Sequence, residues 1–323
     1  MKTILILALD GVMDSSLAIT LDTLKAGQAF LARAGQRDAI RIVTAGYRKT
    51  VKTGAGLRLD PELSFKQVLE KGIKPEWIIV PGLGLVSDAD ITARFAQRDA
   101  LAAIELLRMA EKNLIKTAAS CSAVFMLAHA GVLAGREATT TWWLAPAFRS
   151  RHPDIRLDET RMLVRDGKYL TAGSAYSQLD LVLAIVADVM GTTIAHLCSR
   201  FLLIDQRPSQ ARYMIHTHLQ QVDPTVLAAE RWIDGHLSEA ISIAELSSTL
   251  AVSAKTLARR IEAATGVSPV KFIQRRRLMR AAHLIATTTL SIDAVAAQVG
   301  YQDGTALRKL VKREFGITPG ALR

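Results

Sequence analysis

Cysteine is scarce: 323 residues contain two, Cys121 and Cys198. Two thiols cannot make a disulfide framework, so an apolar core must hold the fold, and a reducing, cytoplasmic location is expected. Uncharged apolar runs of about 18 residues are missing as well, so no transmembrane helix and no membrane partner is expected. The short run in MKTILILALDG ends at Asp10 with no small-residue cleavage site after it, and it reads as a buried first strand, not a signal peptide. Metal-ligand spacing is lacking too. His216-x-His218 stands without a Cys or acid at a matching interval, so no metal site and no cofactor is expected.

What is present points to a large, packed, basic protein. Half of the residues are hydrophobic and 22% are charged, which is enough apolar surface for a core and argues against global disorder. The length suggests two or three domains. The formal net charge of +11 favours a polyanionic partner only weakly. Its location says more: between Ala254 and Arg280 stand eight Lys/Arg (Lys255, Arg259, Arg260, Lys271, Arg275, Arg276, Arg277, Arg280) against one acid, Glu262. That concentration reads as either a solvated face or a phosphate-contacting surface.

The first half alternates short apolar runs (TILILAL, AIRIVTAG, EWIIVPG, LIKTAAS) with amphipathic stretches. The alternation predicts βαβ units and a mostly parallel sheet flanked by helices. LVRDGKYLTAG differs, since alternating residues around Asp166-Gly167 predict a hairpin, and SQLDLVLAIVADVMG then predicts a closing helix. The expected division is an α/β domain over 1–205, a polar linker over 206–225 and an all-α domain over 226–323.

That all-α segment carries an internal repeat of about 50 residues, Ile241–Pro269 and Leu290–Pro319. Each copy reads S-I-x-x-[LV], a small-residue helix, a turn, a second helix rich in Arg/Lys, and a Gly-[VI]-[ST]-Pro ending. The pattern predicts two helix-turn-helix motifs. The helices are expected at Ile243–Leu250 and Ala254–Ala263 in the first copy, and at Ile292–Gln298 and about Gly304–Phe315 in the second. Lys255, Thr256, Arg259 and Arg260, then Thr305, Arg308, Lys309 and Lys312, are the expected DNA-contacting side chains. The intervening PVKFIQRRRLMRAAHLIAT predicts one spacer helix of about 28 Å, a reach that suits successive major grooves about 34 Å apart.

Ile243-Ala244-Glu245-Leu246, Gly266-Val267-Ser268-Pro269, Val299-Gly300-Tyr301 and Phe315-Gly316-Ile317-Thr318-Pro319 resemble the AraC/XylS-type DNA-binding domain. The second copy departs from that family at Gln302-Asp303-Gly304-Thr305 and Leu307, where a Ser-rich turn and an aromatic are usual. Ala119-Ser120-Cys121-Ser122, Val80-Pro81-Gly82, Ala138-Thr139-Thr140 and Thr171-Ala172-Gly173 resemble the PfpI-type branch of the class I glutamine-amidotransferase-like superfamily. The two together are the arrangement of GlxA-like transcriptional regulators. The resemblance implies double-stranded DNA and a small-molecule effector as partners, a homodimer, and RNA polymerase as a further candidate partner.

In AASCSAVFMLAHAG, Cys121 among small residues between a strand and a helix is the pattern of a nucleophile elbow, where a helix N-terminus or a nearby His lowers the thiol pKa. The inert alternative is a buried Cys at a helix start. Relatives carry His after the Ala-Thr-Thr run, whereas this chain has Thr141, and the Gly two residues after the Cys is Ala123. Asp10 and Asp14 are the candidate acids, His129 is expected to face away, and nothing ties His152 or His196 to the elbow. The expectation is no catalytic residue. A ligand pocket is expected around Asp14, Gly82, Cys121, Ser122 and Thr141, with a Cys-dependent amidase or hydratase, or a Cys121 redox sensor, as the competing readings.

Overall fold

The computed structural model describes residues 1–36, 39–204, 209–210 and 223–322. Most of the expected linker, with His216 and His218, lies outside the described residues. The chain divides into two compact units, 1–207 and 208–323.

In the first unit the elements run β1 (Lys2–Ala8), α1 (Asp14–Arg33), β2 (Ile40–Gly46), β3 (Val51–Lys52), β4 (Arg58–Leu59), β5 (Leu63–Ser64), α2 (Phe65–Glu70), β6 (Trp77–Val80), α3 (Asp88–Phe95) and α4 (Arg98–Lys112). They continue with β7 (Lys116–Ser120), α5 (Val124–His129), β8 (Glu137–Ala138), α6 (Ala145–Arg151), β9 (Arg156–Leu157), β10 (Leu163–Asp166), β11 (Tyr169–Ala172), α7 (Ser177–Met190) and α8 (Thr192–Phe201). The main sheet has the order β10-β11-β7-β6-β1-β2-β5. All its pairings are parallel except the β10–β11 hairpin around Asp166 and Gly167. β1 sits inside the sheet between β6 and β2, and its sequence is a continuous apolar run with Ile4 to Ala8 fully buried. The connections run outward in opposite directions from β1 and β6. The loops after β1, β6 and β7 therefore meet at the carboxyl ends of these strands.

A buried ion pair fastens that end. Arg94 donates to Asp99 at 2.9 Å and 2.5 Å and to the Asp10 carbonyl at 2.7 Å and 3.1 Å, while the Asp10 amide donates to Asp99 at 3.1 Å. The pair ties the start of α4 to the loop after β1 and satisfies polar groups that burial would otherwise leave costly.

The second unit is helical: α9 (Pro224–Gly235), α10 (Ile243–Thr249), α11 (Ala254–Thr265), α12 (Pro269–Thr287), α13 (Ile292–Gln298) and α14 (Gly304–Phe315). The boundaries follow the caps. Ser242, Ser253, Ser268, Ser291 and Asp303 each accept a backbone N–H from the first turn with the side chain. Gly266 and Gly316 close α11 and α14 in the left-handed conformation. The repeat holds at the level of backbone angles: Ala251 (φ +51°) and Gly300 (φ +75°) occupy equivalent turn positions. Leu246, Leu257, Ile261 and Phe272 form a buried core around the first motif, and Val295, Leu307, Val311 and Phe315 are buried in the second. α12 packs against α9, α11, α13 and α14. No helix among the described residues is long and apolar enough to cross a membrane.

Candidate nucleic-acid interface and cysteine elbow

In the second unit the Ser253–Ala254 step starts α11. Its buried stripe, Leu257, Ile261 and Ala264, leaves Lys255 and Arg259 exposed, with no ion pair to another described residue. Thr256 is half-buried, and its hydroxyl lies 2.9 Å from the Ser253 hydroxyl within the cap. On α14 the buried residues are Gly304, Leu307, Val311 and Phe315, while Thr305, Arg308, Lys309 and Lys312 are exposed, as is Arg313. The departures from the family pattern are accommodated locally. Asp303 caps α14, its carboxylate accepting the Ala306 N–H at 2.7 Å. Gly304 packs on Asp293, whose Oδ1 would lie 2.5 Å from an added Cβ, and Leu307 fills the core where an aromatic is usual.

The basic concentration does not form one surface. Arg260 turns back onto α9, donating to the Thr225 hydroxyl and lying 3.8 Å from the Asp223 carboxylate. Arg275 pairs with Glu314 at 3.3 Å. Arg276 meets Glu230 and takes Asp234 through two nitrogens, one at 3.0 Å. Arg277 donates to the carbonyls of Glu239 and Gly300, the latter at 3.3 Å. Four of the eight cations expected from the sequence are thus engaged within the domain, and Lys255, Arg259, Lys271 and Arg280 remain exposed.

In the first unit β7 ends at Ser120 and the chain turns sharply. Cys121 has φ +54°, a left-handed conformation that costs a side-chain-bearing residue of order 1–3 kcal/mol. A short 3-10 turn over Cys121–Ala123 then leads into α5. The strain is held by several partners. The Cys121 N–H donates to the Gly173 carbonyl at 2.7 Å, and the Cys121 carbonyl accepts from the Thr140 hydroxyl at 2.8 Å. The Leu85 N–H donates to Ser122 Oγ at 3.1 Å. Gly82 presses directly on this turn. A Cβ added there would lie 3.0 Å from Cys121 Cβ, 3.3 Å from Ser16 Oγ and 3.4 Å from Ser120 Oγ.

The elbow is closed. Cys121 is 1% exposed, and Gly82, Ser122 and Thr141 are buried. Burial pushes the Cys121 thiol above its ordinary pKa, and this outweighs the opposing pull of Ser122, the Gly84 backbone and the Thr141 hydroxyl. The expected lowering by a helix N-terminus is therefore overridden: the 3-10 turn intervenes and the side chain is almost wholly buried. Among the described residues no carboxylate or histidine acts on the thiol.

Asp14 lies elsewhere in its interactions. Its carboxylate accepts from the Thr53 hydroxyl and from the Ala55 N–H at 2.7 Å, and these bonds hold its pKa below the usual value. The α1 side chain against the elbow is Ser16, whose hydroxyl accepts the Gly82 N–H at 2.8 Å. The helical period carried the signal for it: Ser16 shares the buried face of α1 with Thr20, Thr23 and Gly27, and Asp14 does not. Asp10 accepts the Lys52 N–H at 2.9 Å. His129 Nδ1–H donates to the Phe125 carbonyl (3.0 Å), and the ring packs on Phe95 and on His152, with ring centroids 5.1 Å apart in the histidine pair. His152 also meets Phe125 and Phe148. Burial first, and His129 second, hold its pKa down at about 4.

Comparison with known proteins agrees with both halves. The DJ-1/PfpI family matches residues 2–188 and a helix-turn-helix domain family matches residues 246–323. The HTH-type transcriptional regulator GlxA of Rhizobium meliloti is 27% identical over 233 residues, which cover 70% of this chain and 70% of that protein. The HTH-type transcriptional regulator CdhR of Pseudomonas aeruginosa is 24% identical over 221 residues, 68% of this chain and 66% of that one. In fold, the first unit is similar to Drosophila melanogaster DJ-1beta, with a TM-score of 0.51 at 22% identity over 64% of this chain and 99% of that one. The chain belongs to the DJ-1/PfpI family and joins that domain to an AraC-type helix-turn-helix module, which makes it a DNA-binding regulator of the AraC family.

Proposed function

We propose that α11 and α14 are the DNA-reading helices of a cytoplasmic transcription factor, and that the elbow domain is a sensor without hydrolytic activity. The observation that carries the first part is the distribution of free charge. Lys255 and Arg259 on α11, and Arg308, Lys309 and Lys312 beside the hydroxyl of Thr305 on α14, are exposed on short second helices, while Arg260 is taken up by Thr225. Such helices suit major-groove insertion with cations to phosphate and base edges. A homodimer would present two such modules, and RNA polymerase is the further partner in activation.

For the elbow, a thiol raised in pKa, closed from water and without a base cannot supply thiolate for turnover. Thr141 stands where a catalytic His would be needed. Among the described residues Ser120 Oγ has no hydrogen-bond partner, and Thr141 Oγ1 has none beyond its contact with the thiol. Two buried hydroxyls with capacity to spare beside Cys121 favour a small effector that enters by opening the loop at Gly82 and hydrogen-bonds there. A thermal-shift screen of the full chain against small metabolites tests this, since a ligand of the folded state raises the transition temperature. A hit abolished by Thr141→Val supports the reading; one unaffected by that change places the effector elsewhere. The strained φ of Cys121 is the one feature that favours an enzyme. Amide hydrolysis by the full chain, abolished in Cys121→Ala, would establish that alternative.

A further inference from the structure

We propose that Arg277, with Arg275 and Arg276, is a positioning residue that fixes the distance and phase between the two DNA-reading helices and does not itself bind DNA. The inference rests on the DNA-reading assignment of α11 and α14. Successive residues on a helix point about 100° apart, so three consecutive arginines on α12 face three directions, and each finds a different neighbour. Arg275 reaches Glu314 in the last turn of α14, with both side chains under 20% exposed. Arg276 reaches Glu230 and Asp234 on α9, which packs against α11.

Arg277 is the junction. Its guanidinium donates to the Glu239 carbonyl, in the segment leading to α10, and to the Gly300 carbonyl, in the turn between α13 and α14. Gly300 is pressed against the same place. A Cβ there would lie 2.4 Å from the Leu237 carbonyl and 2.9 Å from the Arg277 guanidinium. One side chain therefore ties the backbone just ahead of the first helix-turn-helix motif to the turn inside the second. Engagement of both motifs on one duplex depends on how well their spacing matches the two half-sites, because the second contact is intramolecular once the first has formed.

The probe is a duplex selected by the wild-type full-length chain from a randomised library, together with versions carrying one half-site or one or two base pairs added or removed between the half-sites. For Arg277→Met the expected result is a loss of roughly tenfold or more on the two-site duplex, a change under about twofold on each single half-site, and a flattened dependence on spacer length. The salt slope should stay unchanged, because no phosphate contact is lost. Arg277→Lys, which can still reach one carbonyl, should recover part of the spacer preference. Equal losses on one-site and two-site duplexes, or a salt slope reduced by about 0.9, would make Arg277 a DNA contact and overturn the proposal. Unaltered spacer preference would overturn it as well. If circular dichroism shows Arg277→Met unfolded, Arg275→Gln, which releases only α14, is read by the same criteria. Failure of the wild-type chain to select any duplex would count against the DNA-reading assignment itself.

Discussion

Gly82→Ala tests whether the elbow is closed as described. The new methyl would meet Cys121 Cβ at 3.0 Å, Ser16 Oγ at 3.3 Å and Ser120 Oγ at 3.4 Å. None of these is the free end of a long side chain. The backbone cannot easily retreat either, because the Gly82 N–H is bound to Ser16 and its carbonyl accepts the Met13 N–H at 2.8 Å. Overpacking of this kind costs about 1–3 kcal/mol. In a domain of this size the midpoint of thermal unfolding should fall by roughly 2–4 °C for each kcal/mol. The same strain should prise the loop after β6 from Cys121, so native-state alkylation of this thiol at neutral pH should be slow in the wild-type chain and faster in the variant. Calorimetry and mass spectrometry read the two effects. An unchanged midpoint together with unchanged labelling would refute the close approach of Gly82 to Cys121.

Three further expectations concern other parts of the molecule. Ala251→Gly should stabilise the second unit by about 1 kcal/mol in urea unfolding, because Ala251 holds a left-handed turn position that glycine adopts without strain; destabilisation would mean that its methyl is needed for packing. His152, held at about 4 when folded against about 6.5 when unfolded, is neutral in the native state and charges more readily on unfolding. Its contribution is complete above about pH 6.5 and is lost as pH falls toward 4, so unfolding curves of His152→Phe should show a shallower decline over that window, and parallel curves would contradict this. Arg259→Ala should reduce the salt slope of DNA binding by about 0.9 with stability unchanged, while Arg260→Ala should lower stability by up to about 1 kcal/mol with the slope unchanged; the reverse pattern would show that Arg260 leaves Thr225 to reach phosphate.

Much of the architecture was legible because its determinants are local. Ile292–Gln298, Gly304–Phe315 and Pro269–Thr287 were bounded by capping residues and closing glycines that act within a single turn. The hairpin at Asp166-Gly167 and the closing helix α7 followed from turn chemistry and apolar pattern in the same way. What escaped the sequence depends on partners distant along the chain. The Arg275-Arg276-Arg277 run looks like a phosphate surface until Glu314, Glu230, Asp234 and two carbonyls are brought to it. Asp14 is two residues from Ser16, and only the rotation of α1 decides which of them reaches the loop at Gly82. The motif at Cys121 marked the turn, and the structure added its strain. Whether the thiol is activated depends on burial by the loop at Gly82, which no local pattern encodes.

The most direct test of the central claim is a hydroxyl-radical footprint of the full-length chain on a duplex it selects. Two helix-turn-helix motifs joined by α12 predict two protected patches per module, about one helical turn apart and on one face of the DNA. Arg259→Ala should weaken the patch under α11, and Arg308→Ala the patch under α14. A single patch per module, or one that responds to neither substitution, would contradict the account.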